Sequence, residues 1–248
     1  MRDYKIETEK RVEFIKSMLS ESGAEGIVFA NSGGKDCALA GILCKMACEN
    51  TVGLILPCES KRNFTSDADD ARELADMFGI ETRAIDLTDI KALFAEKAGR
   101  ITGLNKTTLM NIAPRLRMIS LYIIAASEKR LVAGTGNRSE IYMGYFTKWG
   151  DGAYDFNPIA DLTATEVFEY LRYLGAPKSV IEKAPSAGLF EGQTDEEDMG
   201  VSYAAIDGFL LGGEISEEDK KIVDSYHNSS GHKRKMPTIY KGRDVVNE

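Results

Sequence analysis

Ser32, Gly33, Gly34, Asp36 and Cys37 fall within six residues, "SGGKDC", just after the apolar run Gly26–Ala30 and just before a second run of small apolar residues. Adjacent glycines between a strand-like and a helix-like segment allow the backbone to approach a ligand closely. Successive N–H groups then converge at the positive end of a helix dipole. Such a turn binds anions, and phosphate is the common occupant. A second glycine-containing stretch, "GTGNRSE" (Gly134–Glu140), follows a later apolar run.

Spacing separates three kinds of phosphate loop. A Walker loop, GxxxxGK[ST], is excluded because the glycines are too close together and no hydroxyl residue follows Lys35. A dinucleotide fingerprint, GxGxxG, is incomplete in "GTGNRS", where Ser139 takes the third glycine's place. The pyrophosphatase loop SGGxDS is matched by Ser32, Gly33, Gly34 and Asp36, with Cys37 in the final serine's position. The alternative is structural: a tight turn with Asp36 as the N-cap of the helix that follows.

These residues need a frame. Val12, Ile15, Met18 and Leu19 recur at helical spacing, so an amphipathic helix opens the chain and Gly23 ends it. Short apolar segments at Gly26–Ala30, Thr51–Leu56, Thr82–Leu87 and Leu131–Ala133 read as buried strands. They alternate with helical patterns at Asp36–Ala47, Thr65–Met77, Thr88–Lys97 and Thr108–Glu128. That rhythm predicts an α/β fold, a doubly wound parallel sheet with helices on both faces. Both glycine stretches then lie at the carboxyl ends of strands, the usual ligand edge. Beyond Glu140, "YMGYFTKWGDGAYDFNP" has no period and reads as a loop that orders around a ligand. A helix over Asp161–Leu174, a long loop "KAPSAGLFEGQTDEEDMG", helices over Tyr203–Leu211 and Ser216–Tyr226, and the basic tail "GHKRKMP" follow. No repeat or composition break divides the 248 residues, so residues 1–248 are expected to form one domain.

The net charge of −8 argues against a protein that grips nucleic acid through a basic surface. No run of ~18 apolar residues suggests a membrane span, and the N-terminus lacks a signal peptide's hydrophobic region. The four cysteines include no CxxC pair and are expected as buried, reduced thiols. A cytoplasmic protein is expected. His227 and His232 do not by themselves make a zinc site.

Four further stretches, "NIAPRLRM" (Asn111–Met118), "AGTGNRSEIYMGYFTKWGDGAYDFNPIADL" (Ala133–Leu162), "APSAGLFEGQTDE" (Ala184–Glu196) and the tail's "HKR", join the glycine loop in one order. Together they resemble the NAD synthetases of the N-type ATP pyrophosphatase superfamily, over most of the chain from Ser32 to Arg234. The resemblance implies an adenine nucleotide alpha hydrolase-like fold. It also implies a reaction in which ATP adenylates the nicotinate carboxylate of deamido-NAD and ammonia then displaces AMP. Adenylation answers a chemical need: a carboxylate resists an amine because oxide would have to leave, and AMP leaves far more readily.

By the same resemblance, Ala30, Asn31, Ser32, Gly33, Gly34, Lys35, Asp36 and Cys37 cradle the ATP phosphates, with Thr135 and Ser186 as further ATP contacts. Asp36 and Glu140 match the ligands of Mg²⁺, a hard cation suited to carboxylate and phosphate oxygens. Arg115, Lys148, Asp155, His232 and Lys233 match positions that meet deamido-NAD, and Lys148 joins Asp36 and Glu140 in the catalytic set. In this family the tail and central loop close over the substrate. Cys37 departs from the family's serine, and Ala164 stands where the family commonly carries a lysine that reaches ATP. Lys35 either folds back onto a phosphate to replace that charge or points to solvent.

Glutamine-using relatives carry a large extra domain with a catalytic cysteine, for which 248 residues leave no room, so ammonia is the expected nitrogen donor. The resemblance also implies a homodimer, with the apolar helix Thr108–Ala126 either at the interface or in the core. Another SGGxDS-type ATP pyrophosphatase, such as a GMP synthetase ATPase domain or a tRNA-thiolating enzyme, is the nearest alternative. A non-catalytic nucleotide-binding sensor is a second.

Overall fold

The computed structural model describes residues 2–183 and 194–240. Strands β1 (Gly26–Ala30), β2 (Thr51–Ile55), β3 (Glu81–Ala84) and β4 (Arg130–Val132) form one parallel sheet in the order β3-β2-β1-β4. Helices α1 (Tyr4–Ser22), α2 (Lys35–Ala47), α3 (Lys61–Phe64), α4 (Ser66–Phe78), α5 (Thr88–Gly99), α6 (Lys106–Met110) and α7 (Ile112–Glu128) surround and connect the strands. After β4 come α8 (Arg138–Met143), α9 (Ala164–Leu174), α10 (Lys178–Ile181), α11 (Asp195–Met199), α12 (Tyr203–Leu210) and α13 (Glu217–Ser229).

Alternation along β1 divides the core, because successive strand side chains point to opposite faces. Ile27 and Phe29 pack with α1, α2, α4 and α9 through Ile15, Leu39, Leu43, Leu74 and Val167. Val28 faces the other side, with Val52, Leu54, Leu121 and Ala125 against α7. The predicted doubly wound sheet is therefore present, with helices on both faces. Phe29 fills the space left by two glycines: a Cβ on Gly41 would come 2.4 Å from its ring, and one on Gly53 3.2 Å. A smaller cluster of Met143, Ala164, Met199, Tyr203, Ile206 and Val223 joins α8, α9 and α11–α13 beside the sheet.

Several expected boundaries change, and the helix expected over Asp161–Leu174 begins only at Ala164, capped by Thr163. The predicted helix Thr108–Glu128 is two helices, α6 and α7, because Pro114 lies in the first turn of α7, lacks an N–H and clashes with a carbonyl four residues back. The predicted loop over 183–200 ends in α11, capped by Thr194 accepting from the Glu197 N–H. The apolar run in β3 outlasts the strand, as Ile85 and Leu87 still donate to Ile55 and Pro57. Among the described residues one stretch, Lys106–Glu128, is long enough and weakly apolar enough for a membrane span, with mean hydropathy 1.2. One face of it, Ala113, Leu121 and Ala125, belongs to the core. All four cysteines are free, three of them buried and Cys48 partly so.

The strand order matters most for function. β1 lies between β2 and β4, so chain direction across the sheet reverses there, and the loops leaving β1 and β4 emerge side by side.

Candidate active site

The loop after β1 is fixed before it reaches the glycines. The buried Asn31 donates from its backbone to Leu54 O (2.8 Å) and from Nδ2 to Ala71 O (2.9 Å). Gly33 has φ +72°, in the left-handed region, and a Cβ there would stand 2.2 Å from the Asp67 carbonyl oxygen. Lys183 clamps the loop, its Nζ 2.7 Å from Asp67, 2.5 Å from Asp70 and 3.4 Å from Gly33 O. Gly34 is the N-cap of α2 and no side chain occupies that cap. Asp36 therefore lies in the first helical turn, and the structural reading of it as an N-cap fails. Ser32 donates its hydroxyl to the Cys37 sulfur (3.1 Å), whose thiol burial pushes up.

The loop after β4 brings Glu140 to Asp36 through one residue. Asn137 caps α8: its Oδ1 accepts from the Glu140 N–H and its own N–H donates to Glu140 Oε2, both at 3.0 Å. The Asn137 side chain also donates from Nδ2 to Asp36 Oδ1 at 3.0 Å. One buried residue thus aligns both carboxylates, Glu140 through its backbone N–H and Asp36 through its side-chain amide. Burial first, and then the Asp36 charge, hold the Glu140 carboxyl well above the usual carboxylate range, with Lys35 acting the other way. Burial works against a charged Lys35, yet Asp36, Glu140 and Asp195 together raise it above the ordinary lysine value. Lys35 does not point to solvent: it is 5% exposed and its Nζ donates to Asp36 Oδ2 at 2.6 Å.

Asn137→Ala removes the cap and the donor to Asp36 together, so it should destabilise the fold by about 1–2 kcal/mol and lower turnover about 10–100-fold. Asn137→Asp restores the cap but sets another carboxylate beside Asp36. Its thermal midpoint should recover while its turnover does not. Recovery of both would reduce Asn137 to a cap.

These groups open on a cavity of about 1050 Å³ at the carboxyl edge of the sheet. Its wall includes Ala30–Ser32, Gly34–Cys37, Thr135 and Glu140, with Arg62, Arg117, Lys183 and Lys233. The sequence profile of NAD synthase matches residues 7–237. The chain belongs to the NAD synthase family. It is 44% identical over 245 residues to the NH(3)-dependent NAD(+) synthetase of Archaeoglobus fulgidus, covering 96% of this chain and 97% of that one. It overlays the NMN synthetase of Francisella tularensis at TM-score 0.92 with 39% identity, covering 98% of this chain and 100% of that one. The NH3-dependent NAD synthetase of Campylobacter jejuni gives TM-score 0.79 and 30% identity, with 97% and 100% covered.

In this NAD synthase family chain the expected ATP contacts of the glycine loop other than Gly33 lie with Thr135 around the cavity, whereas Ser186 lies outside the described residues. Of the two arginines in "APRLR", Arg117 lines the cavity, donating to Leu56 O (3.1 Å) and Asn63 Oδ1 (3.2 Å). Loss of water holds its pKa below the usual arginine value, and among the described residues it makes no ion pair. Arg115 instead is exposed and donates to Lys148 O at 3.4 Å. Asp155 has both carboxylate oxygens engaged, by Val132 N–H (2.7 Å) and Tyr122 OH (3.1 Å), and holds its segment against β4.

The tail is tied to the central loop by side-chain hydrogen bonds. Lys148 Nζ donates to His232 O, and Lys233 Nζ to Gly144 O and Phe146 O, each at 2.8 Å. Arg234 bonds Tyr142 O (3.1 Å) and Ser230 Oγ (2.6 Å). The join is close: Gly144 has φ +66°, and a Cβ on it would come 2.2 Å from the Ser230 side chain.

Asn137, Arg117, Lys183 and Asp195 are absent from the sequence-derived site. Asn137 had a signal, the N-x-x-E spacing of a capping box. Asp195 lay within the stretch "APSAGLFEGQTDE" but had no role there, and Lys183 had no signal.

Proposed function

We infer that the chain is an ammonia-dependent NAD synthetase that activates the nicotinate carboxylate of deamido-NAD with ATP and releases AMP and pyrophosphate. One observation carries the reading: the capless start of α2 and the aligned pair Asp36 and Glu140 face a single cavity in a chain similar over its length to ammonia-dependent synthetases. The cavity exceeds the roughly 300–1,000 Å³ usual for one small-molecule site, in keeping with two reactants. In the first step a carboxylate oxygen attacks the α-phosphorus and pyrophosphate leaves. In the second the nitrogen of ammonia attacks the acyl carbon, AMP leaves with the bond electrons, and the nitrogen sheds a proton.

The loop N–H groups and the α2 dipole suit the leaving pyrophosphate, and Arg117 suits the charge that builds on phosphoryl oxygens. Asp36 and Glu140 offer only carboxylate oxygens, aligned by Asn137, which fits a hard divalent cation and Mg²⁺ in particular. Bound there, it would neutralise phosphate charge. Lys148, His232 and Lys233 join the tail to the central loop, and that closure shields the adenylate from water. The match over residues 7–237 supports one domain. Exposed Ile119 and Ile123 on α7, beside exposed Leu93 and Phe94 on α5, supply an apolar face for a homodimer. Sedimentation should then show a two-chain species. We place the enzyme in the cytoplasm.

The test is an assay with ATP, Mg²⁺, ammonium and deamido-NAD, separating products by chromatography. NAD and AMP are expected in equal amounts. ADP as product, or equal turnover with glutamine and no free ammonia, would overturn the reading. The higher overlap with the NMN synthetase favours a second reading, amidation of nicotinate mononucleotide by the same chemistry. Both substrates belong in the assay, and a higher kcat/KM for the mononucleotide would install that reading instead.

A further inference from the structure

The Lys35 ammonium is enclosed. It lies 2.6 Å from Asp36 Oδ2, 5.2 Å from the centre of the Tyr203 ring and 5.6 Å from that of Phe168. Aromatic faces attract a cation and exclude water from it, so this is a built position for positive charge. Among the described residues its ion-pair partner is Asp36 alone, one of the two carboxylates aligned for a divalent cation. Ala164, four residues before Phe168 on α9, is buried and brings no charge to this wall. The positive charge here comes from the phosphate loop itself.

We propose that Lys35 is a tethered counter-cation that neutralises Asp36 in the empty enzyme and releases it when metal and nucleotide arrive together. The proposal rests on the reading of Asp36 and Glu140 as the metal-holding pair. Asp36 and Glu140, aligned on the one residue Asn137, are costly to ionise together unless a cation lies between or beside them. Lys35 supplies one and keeps the pair assembled. A divalent cation arriving alone meets a fixed positive charge, and displacing it leaves an ammonium buried without its carboxylate. A divalent cation arriving with ATP brings phosphate oxygens, strong acceptors for that ammonium. Lys35 opens α2 directly after Gly34, so its backbone already borders the anion site and its four-carbon stem spans the short exchange. Metal and nucleotide then strengthen each other's binding by the same factor. Lys35 acts here as a positioning residue, through Asp36.

The experiment titrates the full-length protein with Mn²⁺, following free Mn²⁺ by electron paramagnetic resonance, with and without α,β-methylene-ATP. Lys35→Met keeps the apolar stem under the two rings and removes the charge. Without nucleotide it should bind Mn²⁺ about 10–100-fold more tightly than the wild type, the worth of one charge-assisted contact. The nucleotide analogue should tighten Mn²⁺ binding strongly in the wild type and much less in Lys35→Met. Lys35→Arg should behave as the wild type. Because Lys35→Met leaves two partly buried carboxylates without their cation, its thermal midpoint should fall in metal-free buffer and recover with Mn²⁺, showing that the variant folds. A folded Lys35→Met that binds Mn²⁺ no more tightly than the wild type overturns the proposal while leaving the metal pair intact. If no variant binds Mn²⁺ even with the analogue, the metal pair itself is refuted, and the proposal with it.

Discussion

Asp36→Asn is expected to lower turnover about a thousandfold, the several kcal/mol that a catalytic metal supplies, with the fold retained. The amide keeps the shape of the carboxylate and can still accept from Asn137 Nδ2, so the alignment with Glu140 survives while the charge is lost. Lys35 loses its direct partner but remains close to Glu140 and Asp195, which limits the cost in stability. Glu140→Gln should match it in turnover, and its Oε1 can still accept the Asn137 N–H, so α8 stays capped. The measurement is steady-state turnover against Mg²⁺ concentration, with thermal midpoints alongside. Near-normal turnover of Asp36→Asn at limiting Mg²⁺ would reduce Asp36 to a negative charge at the start of α2.

Gly33→Ala should unseat the phosphate loop, whereas Gly34→Ala should be tolerated. At Gly33 a side chain costs about 1–2 kcal/mol for the left-handed conformation alone. Its Cβ would also stand 2.2 Å from a backbone oxygen, Asp67 O, which cannot rotate away. Together these should exceed about 3 kcal/mol and lower the thermal midpoint by roughly 6–12 °C, with loss of ATP binding. Gly34 has φ −90° and ψ 160°, open to any residue, and its nearest neighbour, at 3.3 Å, is the rotatable Ser32 hydroxyl. Equal damage from the two substitutions would show that the loop needs small size and not one left-handed residue.

The glycine pair shows how far the sequence reached. Two adjacent glycines between apolar runs were enough to predict an anion turn, because glycine's freedom is a local property of the chain. Which of them needs it depends on Asp67, contributed by α4, and sequence spacing does not report that contact. The same division runs through the site. Strand and helix alternation determined the sheet and placed both glycine stretches at one edge, since periodicity records which side chains are buried. Strand order decided that the β1 and β4 loops are neighbours, and so that Asp36 and Glu140 meet across Asn137.

On α7 the motif "APRLR" offered two arginines, and the resemblance pointed to Arg115 as the deamido-NAD contact. Two helical positions differ by about 200° in direction, so only one of the pair can face the cavity. The docking of Ala113, Leu121 and Ala125 on the sheet set the helix phase and turned Arg117 inward. Lys35 is the sharpest case. A lysine in a glycine loop leaves two readings open, a phosphate contact or solvent, because sequence carries no record of what folds over it. Tyr203 from α12 and Phe168 from α9 close over its ammonium, and Asp36 takes its charge. The sequence by itself determined which residue types were available at the ligand edge. The tertiary structure decided which of them face one another, because contacts between distant segments follow from packing and not from local pattern.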